Sequence, residues 1–148
     1  MIIPDVNILV HAYDPAFPGH RAVREWWEDT LNLERPVGLA WAAVLGFIRI
    51  ATNRAIVANP LPARDAVAVV RTWLGQPSVR LLVPGESHAQ ILFRLLEEIG
   101  VAGNLTTDAH LAALAIEYRA EVASTDSDFA RFPGLRWFNP LGPAKRRP

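Results

Sequence analysis

The sequence predicts a three-layer α/β/α fold around a mainly parallel sheet. Apolar runs of four or five residues alternate along the chain with longer segments of helical period, which is the order of an α/β protein. The first two runs, Met1-Ile2-Ile3-Pro4 and Val37–Ala40, are apolar throughout, not at every second residue, as befits strands covered on both faces. No repeat, linker or second compositional block interrupts the 148 residues, a length that suits one domain with a substantial core.

The elements follow in order. Met1–Asp5 reads as a short buried strand, and Asn7–Ala12 as the start of a short helix. Asp14-Pro15-Ala16-Phe17-Pro18-Gly19 is loop chemistry. His20–Leu31 is helical, with Val23, Trp26, Trp27 and Leu31 recurring every three to four residues. Val37–Ala40 is a second strand, and Ala42–Thr52 a helix with Val44, Leu45, Phe47, Ile48 and Ala51 as its apolar positions. Asn59-Pro60-Leu61-Pro62 breaks the chain. Ala63–Leu74 is helical, with Ala66, Val67, Val70, Trp73 and Leu74 inward. Val79–Val83 is a strand closed by Pro84-Gly85. His88–Ile99 is a helix that Gly100 ends as a C-cap. Gly103–Thr107 turns into the helix Asp108–Tyr118. Glu121–Ser124 is a strand, Ser127–Phe132 a short turn or helix, and Arg136–Phe138 the last strand. Residues 1–141 are expected to form the single domain and residues 142–148 a basic tail.

Hydrophobic residues make up 51% of the chain and charged residues 20%, a balance that excludes a disordered polyelectrolyte. There are no cysteines, so disulfides, thiolate catalysis and zinc–thiolate sites are excluded. The formal net charge is zero, so a polyanion has to be held locally, by arginines or a metal. Lys145 is the only lysine. That removes a Walker A loop and a Schiff-base site. No stretch is long and apolar enough for a membrane span. Asp5 and Asn7 interrupt the first apolar run, so no leading signal segment is expected. A cytoplasmic protein is expected.

Four aspartates hold the most information. Asp5 closes the first strand. Asp126 and Asp128 follow the strand Glu121–Ser124. Asp108 opens the helix before that strand. In parallel α/β sheets, sites form outside the carboxyl ends of the strands, and all four aspartates are expected at that edge. Each also has a purely structural reading. Asp5, Asp126 and Asp128 suit helix caps, and Asp108 complements a helix dipole. Should they converge, their repulsion would be relieved by a divalent cation. Oxygen ligands of this kind suit Mg²⁺, with Mn²⁺ as the alternative. The histidines carry less. His110 is two residues from Asp108 and points away from it on a helix. His20 reads as a helix cap, and His11 and His88 as peripheral. The pair Trp26-Trp27 reads as core and interface, not as a platform for bases.

These segments resemble a known family. Asp5-Val6-Asn7 after the first strand is similar to the opening motif of PIN-domain ribonucleases. Asn104-Leu105-Thr106-Thr107-Asp108-Ala109-His110-Leu111-Ala112-Ala113-Leu114-Ala115 is similar to their central aspartate helix. Ser124-Thr125-Asp126-Ser127-Asp128-Phe129-Ala130-Arg131-Phe132-Pro133-Gly134-Leu135 is similar to their final motif. Leu45-Gly46-Phe47-Ile48-Arg49-Ile50-Ala51-Thr52-Asn53 resembles a helix of VapC toxins of mycobacterial type. The likeness covers nearly the whole chain.

The resemblance implies a PIN-like fold and the toxin of a VapBC toxin–antitoxin pair. Such a toxin is a Mg²⁺-dependent endoribonuclease restrained by a VapB-type antitoxin. It implies Asp5, Asp108 and Asp126 as metal ligands, with Asp128 beside them in a water-mediated role. Asn7 and Thr125 fall where the family supports its acids by hydrogen bonds. A homodimer is also implied, with larger toxin–antitoxin assemblies. One departure stands out. Where many members carry a glutamate, this chain has Gly46, and no acid lies between Glu34 and Asp65. Arg49, one turn on, is expected either to meet a phosphate or to steady the acids by a salt bridge. The departure motivates a second reading, a catalytically weak module that binds RNA or antitoxin. An aspartyl-phosphate protein is a third reading, and the lack of an internal lysine argues against it.

Overall fold

A computed structural model gives the architecture and describes residues 1–33 and 35–142. Among these residues five strands, all parallel, form one sheet in the order β3-β2-β1-β4-β5. They are β1 (Ile2–Pro4), β2 (Val37–Ala40), β3 (Val79–Leu82), β4 (Glu121–Ala123) and β5 (Trp137–Phe138). Successive strand residues point to opposite faces, and both faces are covered. Ile2, Leu39 and Ala123 pack into one core with α1 (Val6–Tyr13), α2 (His20–Asn32), α3 (Trp41–Ala51) and α4 (Ala63–Leu74). Ile3, Ala40 and Val122 pack into the other with α5 (His88–Ile99) and α6 (Leu105–Glu117). This two-sided burial is why β1 and β2 read as unbroken apolar runs. Among the described residues no helix is long and apolar enough to cross a membrane.

The predicted elements are all present, with shifts at their ends. Val37–Ala40, Ala63–Leu74 and His88–Ile99 begin and end as expected. Gly100 adopts the left-handed conformation of a C-cap, φ 68°. The helix expected from Asp108 begins earlier, at Leu105. Leu105 is buried in the second core, and that burial recruits a turn whose threonines and glycine read as loop. Asp108 therefore lies inside the first turn. Ser127–Arg131 is a 3₁₀ turn. His20 does not cap α2. Gly19 does, at φ 78°, while the His20 Nδ1 meets the His11 carbonyl at 2.7 Å. The basic tail around Lys145, Arg146 and Arg147 and the acid Glu34 lie outside the described residues.

The strand order decides where a site forms. From β1 the chain winds outward through β2 to β3, then returns to lay β4 on the other side of β1. The sheet thus has its switch point between β1 and β4, and in open parallel sheets the crevice opens at the carboxyl ends there. Pro4 pairs with Ala123. The next residues out are Asp5 on one strand and Ser124, Thr125 and Asp126 on the other.

Candidate functional site

Asp5 leaves β1 in extended conformation and caps α1. Its Oδ1 accepts the Val6 backbone N–H at 2.7 Å, and its Oδ2 accepts the Ser124 hydroxyl at 2.8 Å. The cap and ligand readings therefore do not compete, because one oxygen is tied to the helix and the other to the site. Ser124 is fully buried. Its Oγ donates to Asp5 and accepts from Asn7 Nδ2 at 2.9 Å and from the Asp126 backbone N–H at 3.0 Å. One donor and two acceptors exhaust a hydroxyl's capacity. Asn7 Oδ1 in turn accepts the Thr125 N–H at 3.4 Å. Asp126 caps the following 3₁₀ turn, its Oδ1 accepting the Asp128 N–H at 2.8 Å.

The network thus joins Asp5, Asn7, Ser124, Thr125, Asp126 and Asp128. Thr125 enters through its backbone. Ser124, at the centre, was not singled out from sequence. A buried hydroxyl after a strand leaves no periodic signal, and its flanking motif was the only clue.

Asp108 reaches this group from α6. Burial pushes its carboxyl up to about 6, and the charges of Asp5, Asp126 and Asp128 push the same way. Burial likewise raises the Asp5 carboxyl, with Asp126 adding to it while the Ser124 and Val6 hydrogen bonds oppose it. Two acids shifted upward by burial and by neighbouring carboxylates mark an anionic cluster whose charge is not neutralised. Among the described residues no arginine or histidine pairs with Asp5, Asp108 or Asp126. Asp128 has Arg131 at 3.7 Å.

The donor set suits a hard divalent cation. Among the described residues no three acidic or histidine side chains converge tightly enough to enclose an ion by themselves. Mg²⁺ does not require that, since it keeps several waters through which part of a carboxylate set can reach it.

The remaining candidates fall elsewhere. Arg49 is exposed on α3 and makes no ion pair among the described residues, so the expected salt bridge to the acids is not formed there. At Gly46 the packing leaves no room for an acid. A Cβ built on it would lie 2.7 Å from Val6 Cγ2. The valine beside Asp5 occupies the space a side chain would need. His88 is not peripheral. It is buried between α5 and α6, with Nε2 3.0 Å from His110 Nδ1 and Nδ1 3.6 Å from Glu117. Glu117 accepts the backbone N–H groups of Gly85 and Ser87. His110 thus turns to α5, away from the acids.

Residues 2–135 match the PIN domain family. The chain is similar to Ribonuclease VapC33 of Mycobacterium tuberculosis strain H37Rv, 51% identical over 141 residues that span 95% of this chain and 99% of that protein. It is also similar to Ribonuclease VapC37 of the same strain, 43% identical over 140 residues, 95% of this chain and 97% of the other. Two solved structures share its shape. One is Mycobacterium tuberculosis VapC20, a sarcin–ricin loop cleaving toxin, with TM-score 0.66, 17% identity and 92% and 99% coverage of the two chains. The other is VapBC2 from Rickettsia felis bound to a promoter DNA fragment, with TM-score 0.69, 16% identity and 94% and 98% coverage. At those identities the likeness is one of fold.

Proposed function

The chain belongs to the PIN-domain family, among the VapC ribonucleases, and we propose that it is a toxin that cleaves RNA phosphodiester bonds at the carboxyl edge of its sheet with a divalent cation. The observation that carries this is the un-neutralised aspartate cluster at the switch point, joined by hydrogen bonds through Ser124, with Asp108 pushed up to about 6 by burial and then by the charges of Asp5, Asp126 and Asp128. Asp5, Asp108 and Asp126 would hold Mg²⁺ or Mn²⁺, with Asp128 reaching it through water. Such an ion, when bound, supplies polarisation of a phosphate oxygen and a more acidic water.

The protein's own residues do the positioning. Ser124 and the Val6 N–H fix both oxygens of Asp5. Asn7 locks the loop after β4 to the start of α1. The Ser124 Oγ sets the backbone of Asp126. This prior ordering lets the acids receive charge without rearranging. Single-stranded or looped RNA fits, because its flexible backbone can enter a narrow acidic crevice. The partners are RNA, a VapB-type antitoxin and a second copy of the chain, with larger toxin–antitoxin assemblies built from these. Exposed Tyr13 and Leu33, at the ends of the first two helices, are available to an interface. An antitoxin arginine entering the crevice would neutralise the acids as a metal does.

Replacement of Asp108 by Asn tests the site. Cleavage should fall by at least about a hundredfold, a loss comparable to that of other groups acting on transition-state charge, with the far-UV spectrum unchanged. Wild-type cleavage by this variant would refute the assignment. The packing of Val6 against Gly46 favours the second reading, a weak or inactive binding module, and binding of intact RNA by wild-type protein without cleavage would establish it.

A further inference from the structure

Four of the five tryptophans serve the fold. Trp27 and Trp73 are buried against each other edge to face. Trp26 packs on Phe138, and Trp137 lies against the second core. Trp41 does none of this. It is 47% exposed, and among the described residues it makes no ring contact. An indole with nearly half its surface in water forgoes part of a large burial gain, and its position gives it another use.

Trp41 is the first residue after β2 and opens α3. β2 lies beside β1, with Val37 level with Ile2. Carried three residues on, that register sets Ala40, the last residue of β2, beside Asp5, the residue after β1. Neighbouring strands are about 4.8 Å apart, so Trp41 emerges one strand over from Asp5 at the same carboxyl edge. Leu45 and Arg49 follow at four-residue intervals on the same face of α3, and both are exposed. From Trp41 to Arg49 the helix rises about 12 Å. The face that leaves the acids is therefore aromatic, then aliphatic, then cationic.

We propose that Trp41 is a stacking platform for one unpaired base of the RNA strand, flanking the phosphate held at the carboxylates, with Arg49 further along for the backbone. The proposal rests on that edge being the cleavage site. Base–aromatic stacking tolerates any base and needs an exposed ring beside the path of the strand. The commitment to RNA comes from continuity with the acidic crevice and from the cation on the same helix face. Trp41 positions the substrate and takes no part in bond cleavage.

Cleavage kinetics on a single-stranded RNA oligonucleotide with Mg²⁺ test this. Trp41→Ala should raise KM about tenfold with kcat within about twofold, the loss of one stacked base. Trp41→Phe should recover most of it. An abasic nucleotide beside the cleavage site should impose the same loss on wild type, and Trp41→Ala should add nothing to it. An unchanged KM, or losses that multiply, would overturn the proposal. So would a Trp41→Ala protein that sediments as a monomer where wild type is a dimer, because the face then belongs to a second copy. Should wild type fail to cleave, the site reading fails by itself, and emission decides the platform. RNA should quench wild-type indole fluorescence and leave Trp41→Phe unquenched. Equal quenching of both would reject it.

Discussion

Ser124 shows how one buried hydroxyl organises charged groups around it. Its proton goes to Asp5, and its two lone pairs take Asn7 and the Asp126 N–H. Ser124→Ala would leave three polar groups short of a partner, and each such buried group costs about 1–3 kcal/mol. We expect a stability loss of about 2 kcal/mol or more, with weakened cleavage, read by urea denaturation and RNA turnover. Asp108 gives a pH signature of opposite sign to that of a salt-bridged acid. Its folded pKa is raised from 3.8 to about 6, so the metal-free fold binds this proton more tightly than the unfolded chain does. The metal-free protein therefore loses stability as pH rises through that window. Because the side chain is half-exposed, solvent screening reduces the effect to about 1 kcal/mol. Asp108→Asn should stabilise the metal-free protein by about that much near pH 7 and by nothing near pH 3. Denaturation at both pH values checks it, and equal effects would contradict it. The four aspartates were legible in the sequence because each follows a strand or opens a helix. Ser124 and His88 were not, since a partner from a distant segment leaves no local pattern.

At the scale of elements, helix periods and strand lengths could be read directly, and ends could not. α6 starts at Leu105 because tertiary burial of that leucine outweighs the loop character of Gly103 to Thr107. The crossing of α1 and α3 was equally hidden. The absence of an acid at Gly46 is visible in the sequence, and Val6 filling the place of a side chain there is visible only in the packing. This yields a prediction. Gly46→Glu should not restore a family-like acid. Overpacking against a stiff valine costs about 1–3 kcal/mol, and the helix propensity regained is at most about 1 kcal/mol. Thermal unfolding should show a lower Tm for Gly46→Glu, and Val6→Ala in the same chain should restore part of it. A Tm unchanged by the first substitution would mean that α1 and α3 separate freely.

At the scale of the whole molecule, strand order does most of the work. A sheet that winds out from β1 and returns to its other side has a single switch point, and the chain places its aspartates there. Composition and period predicted the parallel sheet and its layers. They could not say which strands are neighbours, and that adjacency is what brings Asp5 to Ser124 across 119 residues of chain. The concentration of negative charge at one edge makes cation binding and stability linked quantities. The most direct measurement is cleavage of a mixed pool of structured cellular RNAs by antitoxin-free protein, with Mg²⁺, with EDTA, and with Asp5→Ala. The account predicts cuts at discrete positions that vanish with the chelator and with the substitution. Cuts that survive EDTA, or no cuts by folded protein supplied with Mg²⁺, would contradict it.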